Sequence, residues 1–490
     1  LLRVSVQLID GTSGLAIWSQ PFDRGRRELL NVQQEIAQAV ADQLLPDSDP
    51  EITAPITQDA TANEKLLLAR HYEQQVRERE NVDPELLERA IQLYREAIEL
   101  DDQSALAHAR LAGALMYYGD IDAAEAPAYR ALELNPRLAE AQHTYGQLLF
   151  ARGHPNMGEP LARAVELNPN LPDALATYAH WRWYNLGEQG VDELYRRALK
   201  LDPLNISRYG ALGAFLAVND DYAGAREVVE QMKALFDTPE SYSAIAHIYD
   251  LIGEVDHAIA WMIRARDAEP HNPQHVEKLA EYFVDIGDFE TAEKLTPDLG
   301  VGLLYKMRRY EEMIELAEEL IFDFPEDIQL RIYLAAVYNL TERYEQALRL
   351  ITSTGILNTI RNGNRGPADY NALTVLSNTA YRSGKVEQAR ELVLWWRETL
   401  YHGQNAYWWV SISNACNSAI LGEDDEARRL LERALEANNL AWEPNLRDAA
   451  CFKRFADDPA YLAVVKHFDD RRAMLRERLP ATLRAYGVAL

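Results

Sequence analysis

The stretch that decides the fold is ALAHARLAGALMYYGDIDAAEAPAYRALELNP, residues 105–136. Its apolar residues recur every three or four positions on both sides of Gly119, a spacing that is typical of two short amphipathic helices. Ala112 and Ala124 are small enough for the two helices to pack closely. Pro136 has no backbone N–H and ends the second helix. The stretch therefore predicts a helical hairpin.

The same pattern recurs along most of the chain. Gly119 and Gly153 are 34 residues apart, and so are Gly253 and Gly287. A fixed period of about 20 to 50 residues marks an array of supersecondary units. A single hairpin cannot bury its apolar face alone, so successive hairpins stack. About eleven such units, over roughly 380 residues, predict an all-α solenoid.

Three successive units end in similar sequences: YRALELNP at 129–136, ARAVELNP at 162–169 and YRRALKLDP at 195–203. These endings resemble the tetratricopeptide repeat (TPR) family. The resemblance implies a right-handed superhelix whose concave groove is lined by the first helix of each repeat. In that family the groove binds peptides or helices of partner proteins. The resemblance therefore implies a non-catalytic protein-interaction scaffold.

The first 45 residues follow a different pattern. Residues 3–9 and 15–22 predict a β-hairpin around a turn at 10–14, and 27–45 predict an amphipathic helix. This segment is similar to the end of the TolB-like α/β domain that precedes TPRs in bacterial CadC-like winged-helix regulators and in some nucleotide cyclases. The similarity is carried by Val4, Gln7, Leu8, Asp10, Gly14, Trp18, Asp23, Arg24, Gln33, Glu35, Ile36 and Ala37. It implies the sensory or interaction region of a larger bacterial regulatory protein.

Two other functions are open. The chain begins LLRVSV without an initiator Met, so we expect it to be part of a longer protein. It is then an accessory region if a catalytic domain, such as a nucleotide cyclase, lies upstream. Alternatively it is a structural subunit, in which the N-terminal strand pairs with a second copy of the chain and forms a homo-oligomer.

Composition shifts along the chain predict its domain boundaries. The predicted segments are 1–45, a partial α/β segment; 46–61, a linker with three prolines; 62–351, the TPR array; 352–367, a loop rich in Gly and Asn; 368–445, further TPR units; and 446–490, a C-terminal helical cap. An open array needs such a cap because its last hairpin would otherwise expose its apolar face.

The charge balance restricts the partners. Against 50 basic residues stand 77 acidic ones, and the formal net charge is −27. Such a field repels phosphate backbones, so we expect no nucleic-acid binding by this segment. The acidity indicates either a solvated surface or a basic protein or peptide partner. No apolar stretch is long enough for a transmembrane helix, and the composition fits the cytoplasm and the periplasm equally.

Thirteen residues are predicted to face the groove, from the register of the first helices. They are His143, Gln147, Phe150, His180, Trp183, Ser243, His247, Asp250, Glu277, Glu281, Thr374, Asn378 and Tyr381. This mixed aromatic and acidic set suits a peptide with cationic or apolar anchors, unless the large residues merely fill the inside of the superhelix. One TPR subtype holds C-terminal carboxylates with Lys, Arg and Asn. The predicted set contains Asn378 but no matching Lys or Arg.

The chemistry-bearing residues form no catalytic motif. His271 and His275 have helical metal-ligand spacing, but prolines flank them and no third ligand is near. The glycine-rich residues 363–366 lack the Lys-Ser/Thr of a phosphate loop. Cys416 and Cys451 pair only if the last helices bring them together. We expect no catalytic residue, no cofactor and no metal.

Overall fold

The computed structural model describes residues 2–9, 16–24, 36, 39, 59–77, 84–152, 154–186, 188, 190–325, 327–355, 367–399, 408–435 and 443–490. The predicted turn at 10–14 and most of the predicted linker and loop lie outside them. So does the predicted helix at 27–45, apart from residues 36 and 39, which are helical. The chain forms two compact units. Unit 1 comprises residues 1–151 and 159–169, and unit 2 comprises 152–158 and 170–490.

The predicted N-terminal hairpin is confirmed. Strands β1 (Leu2–Ile9) and β2 (Ala16–Arg24) pair antiparallel. Val4 lies opposite Phe22, and Val6 lies opposite Gln20. Phe22 is buried, whereas Ile17 is exposed. The alternation of apolar and polar residues read from the sequence therefore matches the pleat of this two-stranded sheet.

The helices of unit 1 form three hairpins. They are α1 (Ala60–Arg77), α2 (Pro84–Leu100), α3 (Ala105–Tyr118), α4 (Ile121–Leu134), α5 (Ala139–Ala151) and α6 (Gly158–Leu167). Each odd-numbered helix opens a hairpin and the next helix closes it. Helix α3 packs against α4 within its hairpin and against α2 and α5 of its neighbours. The hairpin α3/α4 is the one predicted from residues 105–136.

Local interactions explain why α3 and α4 begin and end where they do. The Ser104 side chain accepts a hydrogen bond from the Ala107 N–H and caps α3. Gly119, with φ of 95°, ends α3 in the left-handed conformation. Asp120 then caps α4 by accepting from the Ala123 N–H. The dipeptide Gly119–Asp120 therefore stops one helix and starts the next.

Unit 2 continues the same alternation. Its helices are α7 (Pro172–Leu186), α8 (Asp192–Leu201), α9 (Ile206–Val218), α10 (Tyr222–Leu235), α11 (Pro239–Leu251), α12 (Val255–Ala268), α13 (Pro273–Asp285), α14 (Phe289–Leu295), α15 (Val301–Lys306), α16 (Tyr310–Asp323), α17 (Ile328–Leu340), α18 (Tyr344–Ser353), α19 (Pro367–Arg382), α20 (Val386–Thr399), α21 (Trp408–Leu421), α22 (Asp424–Ala434), α23 (Glu443–Asp448) and α24 (Pro459–Tyr486). A 3₁₀ segment, Ala450–Phe455, separates the last two helices.

First helices contact first helices between successive hairpins of unit 2. Such contacts join α9 to α11, α13 to α15, α17 to α19 and α19 to α21. We call the surface formed by the odd-numbered helices α7–α21 the first-helix face. The predicted fold class is confirmed: the chain is an all-α solenoid of stacked hairpins with a small N-terminal strand segment.

In most of the described hairpins, the turn contains a residue in the left-handed conformation. Glycine occupies this position at Gly119, Gly253, Gly287, Gly384 and Gly422, with φ from 76° to 95°. At the same position three hairpins carry Asp220, Arg308 and Glu342, with φ from 60° to 65°. A side chain in this conformation costs roughly 1 kcal/mol or more relative to glycine. The turn geometry is thus kept even where its usual residue is absent.

The C-terminal residues return to the middle of unit 2. Helix α24 packs against α22 and also against α12. Its buried Phe468, Leu475 and Leu479 belong to the same apolar core as Ile259 of α12. The predicted cap at 446–490 is therefore helical, and its last helix covers a hairpin far from the end of the array.

Arginines of α24 bind the ends of two first helices. Arg471 donates to the Gly253 carbonyl at 2.7 Å, just after α11. Arg472 donates to the Asp285 carbonyl at 3.0 Å, and Arg476 to the Gly287 carbonyl at 3.3 Å, both at the end of α13. Helix C-termini leave carbonyl oxygens without intrahelical donors, so guanidinium groups stabilise them.

Candidate functional site

In unit 1 the three predicted groove residues lie on α5. His143 is buried, Gln147 is half-buried and Phe150 is exposed. The Phe150 ring is the accessible member of this set, so any contact of a partner with these positions falls on its ring and on the edge of Gln147.

The predicted pair on α7 has two different environments. His180 is exposed. Trp183 is half-buried and meets Phe215 edge-to-face, with ring centroids 5.5 Å apart. Such a pair stabilises the packing of α7 against α9. Trp183 is therefore mainly a core residue of unit 2 at this position.

The predicted residues on α19 lie beside the C-terminal segment. Thr374 and Tyr381 are half-buried, and Asn378 is buried. The Asn378 side-chain nitrogen lies 3.0 Å from the sulfur of Cys416 on α21. Cys416 forms a disulfide with Cys451 of the 3₁₀ segment, and their Cα atoms are 5.4 Å apart. The pairing that the sequence left open is therefore present, and the chain's own C-terminal residues cover this part of the first-helix face.

The predicted residues on α11 and α13 include the accessible ones of unit 2. His247 and Glu277 are exposed, Asp250 and Glu281 are half-buried, and Ser243 is buried beneath them. This set leaves a polar, solvent-accessible stretch on the first-helix face. We call the stretch formed by α11, α13 and α15 the charged stretch.

Two lysines lie within the charged stretch. The Lys278 ammonium contacts a Glu281 carboxylate oxygen at 2.6 Å. The Lys306 ammonium, on α15, contacts the other Glu281 oxygen at 2.7 Å and an Asp285 oxygen at 2.9 Å. Lys306 therefore bridges two carboxylates of α13, and its position joins α15 to α13.

The pKa values in this stretch are strongly shifted. Burial, followed by the nearby Asp285 carboxylate, raises the pKa of Asp250 to about 7 against the opposing effect of Lys278 and Lys306. Burial alone would raise the pKa of Glu281, but the two lysines reverse the effect and lower it to about 2. Burial would lower the pKa of Lys306, yet Asp285 and Glu281 raise it above its usual value. At neutral pH, Glu281 and Lys306 are fully charged and Asp250 is partly protonated.

Lys278, Asp285 and Lys306 were not among the residues predicted from the sequence to face the groove. One signal was available for Asp285: Glu277, Glu281 and Asp285 follow each other at i, i+4 and i+8, on one side of α13. No comparable signal marked Lys306, because its importance depends on how α15 packs against α13. The predicted set contains neither lysine, because Lys278 and Lys306 lie outside the helix positions from which that set was read.

The described residues contain no group of three or more His, Cys, Asp or Glu side chains arranged to hold a metal ion. His275 is buried, and its Nε2 lies 3.2 Å from the Asn272 side-chain nitrogen. Among the same residues, every helix is too short or too polar to cross a membrane.

The fold and this site define a helical-hairpin repeat protein with a charged, accessible stretch on its first-helix face. No protein-family model and no curated protein matches the chain. The TolB-like resemblance of the first 45 residues therefore stays a prediction.

The chain is similar to several solved structures. PilF of Pseudomonas aeruginosa matches at 19% identity over 45% of this chain and 97% of PilF, with a TM-score of 0.33. Yeast Tom70 matches at 15% identity over 86% of this chain and 98% of Tom70, with a TM-score of 0.35. A thermophilic TPR protein of Thermus thermophilus, TTC0263, matches at 18% identity over 46% of this chain and 99% of its own, with a TM-score of 0.27. Similarity at this level says nothing about the partners of this chain, and the fold assignment rests on its own hairpins.

Proposed function

We propose that this protein is a non-catalytic scaffold that binds a partner polypeptide on the charged stretch, with a basic side chain of the partner beside Asp250. The support for this proposal is the balance of charges among the interacting side chains of the charged stretch. Three carboxylates, Asp250, Glu281 and Asp285, interact with two ammonium groups, those of Lys278 and Lys306. Among these five groups the carboxylates outnumber the ammonium groups by one, and a proton near Asp250 makes up part of the difference at neutral pH.

A partner's lysine or arginine would replace that proton. Bringing a cation close to a carboxylate favours its charged form, so binding would lower the pKa of Asp250 and release the proton. Exposed Glu277 and His247 beside it give the partner access and further polar contacts. A charged anchor enclosed by protein contributes more to binding than one at an open rim, because solvent screens it less.

The wider setting is part of the same proposal. The TolB-like resemblance supports the sensory or interaction region of a larger bacterial regulatory protein. Its support is the sequence of the first 45 residues alone. The full-length coding sequence tests it: a winged helix upstream supports a regulator, and a cyclase core upstream replaces that setting with an enzyme accessory region.

A displayed random-peptide library, selected against the whole chain at pH 8, tests the binding site. We expect selected peptides to contain Lys or Arg, and Asp250→Asn to weaken their affinity at least tenfold by fluorescence anisotropy. Glu290→Gln is the matched control, because it removes one carboxylate from the exposed surface of α14, a second helix.

The pH dependence gives an independent readout. Because Asp250 must lose its proton to bind a cation, the affinity of wild type should rise between pH 6 and pH 8. The Asn variant should lose this dependence. Equal affinity of wild type and Asp250→Asn for the selected peptides, or protection from hydrogen exchange on another surface, contradicts the proposed site.

A further inference from the structure

The C-terminal segment of residues 443–455 contains α23 and the 3₁₀ helix. This segment contacts α15, α19 and α21, all of which are first helices. Its apolar Leu446, Phe452 and Phe455 are buried. Part of the first-helix face of unit 2 is thus occupied by a short helical stretch of the same chain.

Ion pairs hold the segment at the turns of successive hairpins. Asp448 accepts from the Arg308 guanidinium at 2.7 Å and from the Tyr310 hydroxyl. Lys453 pairs with Glu342. Arg308 and Glu342 are two of the left-handed turn residues that replace glycine. These turns therefore carry side chains that bind the segment, in place of the residue that suits the backbone best.

A single covalent bond holds the segment in place. The disulfide Cys416–Cys451 joins it directly to the first helix α21. Both sulfurs are buried, and Asn378 of the neighbouring first helix contacts the sulfur of Cys416. On both sides the segment is flanked by helices with their own contacts: α22 packs on α21, and α24 packs on α12. The helices that flank the segment therefore have packing contacts that do not depend on it.

We propose that residues 443–455 are an internal ligand of the first-helix face, locked by the Cys416–Cys451 disulfide and released after reduction in favour of a partner peptide of the same chemistry. That chemistry is a short helical peptide with an acidic residue for Arg308, buried aromatic anchors and a basic residue for Glu342. The inference rests on the proposed function only in that the first-helix face binds polypeptide, since it concerns α15, α19 and α21 rather than Asp250.

The redox step is an exchange with a dithiol. A thiolate of the dithiol attacks one sulfur of the disulfide and forms a mixed disulfide, and its second thiol displaces the protein sulfur. The bond between Cys416 and Cys451 breaks, a disulfide forms in the reductant, and both cysteine sulfurs end as thiols. The reductant loses two electrons and two protons, and the protein gains them.

After reduction alone, the segment stays bound to the first-helix face in most molecules, because its apolar side chains remain buried. Reduction changes the equilibrium between the bound and the released segment. The disulfide ties the segment to α21 and so restricts how far the segment can move from the first-helix face. A competing peptide then binds the face during openings that the disulfide prevents, so its apparent affinity rises with the open fraction.

The test uses the full chain and a fluorescein-labelled peptide with the sequence of 443–455, in which serine replaces the cysteine. Anisotropy titrations are made on the oxidised chain and on the chain held in dithiothreitol, with circular dichroism to confirm equal helix content. We expect at least tenfold tighter binding to the reduced chain, and faster amide exchange confined to 443–455. Equal affinity in both states, or unchanged exchange in this segment, overturns the proposal.

Two variants strengthen the test. Asp448→Ala removes the contacts of the segment with Arg308 and Tyr310. It should raise the peptide affinity of the reduced chain further and leave the peptide affinity of the oxidised chain unchanged. Glu290→Gln, on the exposed second helix α14, should leave this peptide's affinity unchanged in both states. An effect of Glu290→Gln on this peptide, or none of Asp448→Ala, contradicts a site on α15, α19 and α21. The redox lock is measured by the effect of dithiothreitol on this peptide, and the basic-peptide site by the effect of pH on the selected peptides, so failure of one is distinguishable from failure of the other.

Discussion

Arg478 of α24 donates to both carboxylate oxygens of Asp256, at the start of α12 and 222 residues earlier in the chain. The Nε–Oδ2 distance is 2.6 Å, and the Thr482 hydroxyl donates to the same Oδ2 at 2.6 Å. Asp256 is fully buried. Burial alone would raise its pKa, but the donors Arg478 and Thr482 outweigh that effect and lower it. This pair fixes the end of the chain to the middle of unit 2.

Replacement of Arg478 and replacement of Asp256 should weaken the α24 contact by different amounts. Arg478→Met leaves a buried carboxylate without its counter-charge, so we expect a loss of about 3 kcal/mol in the stability of the α24 contact. Asp256→Asn should cost less, about 1–2 kcal/mol, because the partly exposed Arg478 turns to solvent. Native-state hydrogen exchange of α24 measures both. Equal losses in the two variants would show that burial of Asp256 does not govern the contact.

Because of the same pair, the stability of the α24 contact should fall at acid pH. The folded-state pKa of Asp256 is lowered, so its contribution is present above the pKa of an unfolded aspartate and is lost as the pH falls below about 4. Exchange of α24 amides, corrected for intrinsic rates, should therefore accelerate in acid. In Asp256→Asn the acceleration should be smaller.

Substitution by alanine should have opposite effects on stability at two glycines of unit 1. Gly113 lies within α3 with no atom near its missing Cβ, so Gly113→Ala should stabilise by about 0.5–1 kcal/mol. At Gly146 of α5 a Cβ would lie 2.5 Å from a Leu161 methyl and 3.3 Å from the Leu161 backbone nitrogen. Gly146→Ala should therefore destabilise by about 1–3 kcal/mol despite its better helix propensity. Urea unfolding of the two variants compares them, and a shift of the same sign in both would contradict the close helix contact.

Replacement of Asp220 by glycine should stabilise the folded chain. Its φ of 64° is left-handed, and its side chain accepts one exposed hydrogen bond from Tyr222. Asp220→Gly should stabilise by about 1 kcal/mol, since relief of backbone strain exceeds the loss of that bond. Arg308→Gly is the comparison, because it relieves similar strain but removes the pair with Asp448. Only the first variant should raise the midpoint of thermal unfolding.

Asp250→Asn should raise stability while it removes binding. The pKa of Asp250 is raised to about 7 in the folded chain. Its contribution to stability is complete below the unfolded pKa and is lost as the pH rises through 7. The Asn variant should therefore match wild type near pH 4 and exceed it by up to about 4 kcal/mol at pH 8. Urea titrations at both pH values, with Glu290→Gln as the charge-matched control, measure this difference.

The hairpins were predictable because their signals are local. Gly119, Asp120 and Pro136 act within one turn of helix, and the spacing repeats. The turns at Asp220, Arg308 and Glu342 were not marked as turn positions, because the sequence there lacks the glycine that identifies the others. Their conformation follows from the packing of the two helices on either side.

The site was only partly predictable, for a different reason. The register of α11 and α13 places Asp250 and Glu281 in the predicted set. Lys306 enters the same cluster from a helix of only six residues, after the irregular stretch that follows α14. The return of α24 to α12 had no sequence signal, because it depends on contacts between residues more than 200 positions apart.

The docking of α24 also limits how unit 2 can change in length. Because α24 packs on α22 at one end and on α12 at the other, the hairpins between α12 and α22 span a fixed gap. Duplication or deletion of one hairpin there would move Asp256 away from Arg478, whereas a change at α3/α4 would leave that pair untouched. Evolution by repeat gain, the usual route for such arrays, is therefore restricted in this part of the chain to changes that preserve the repeat number.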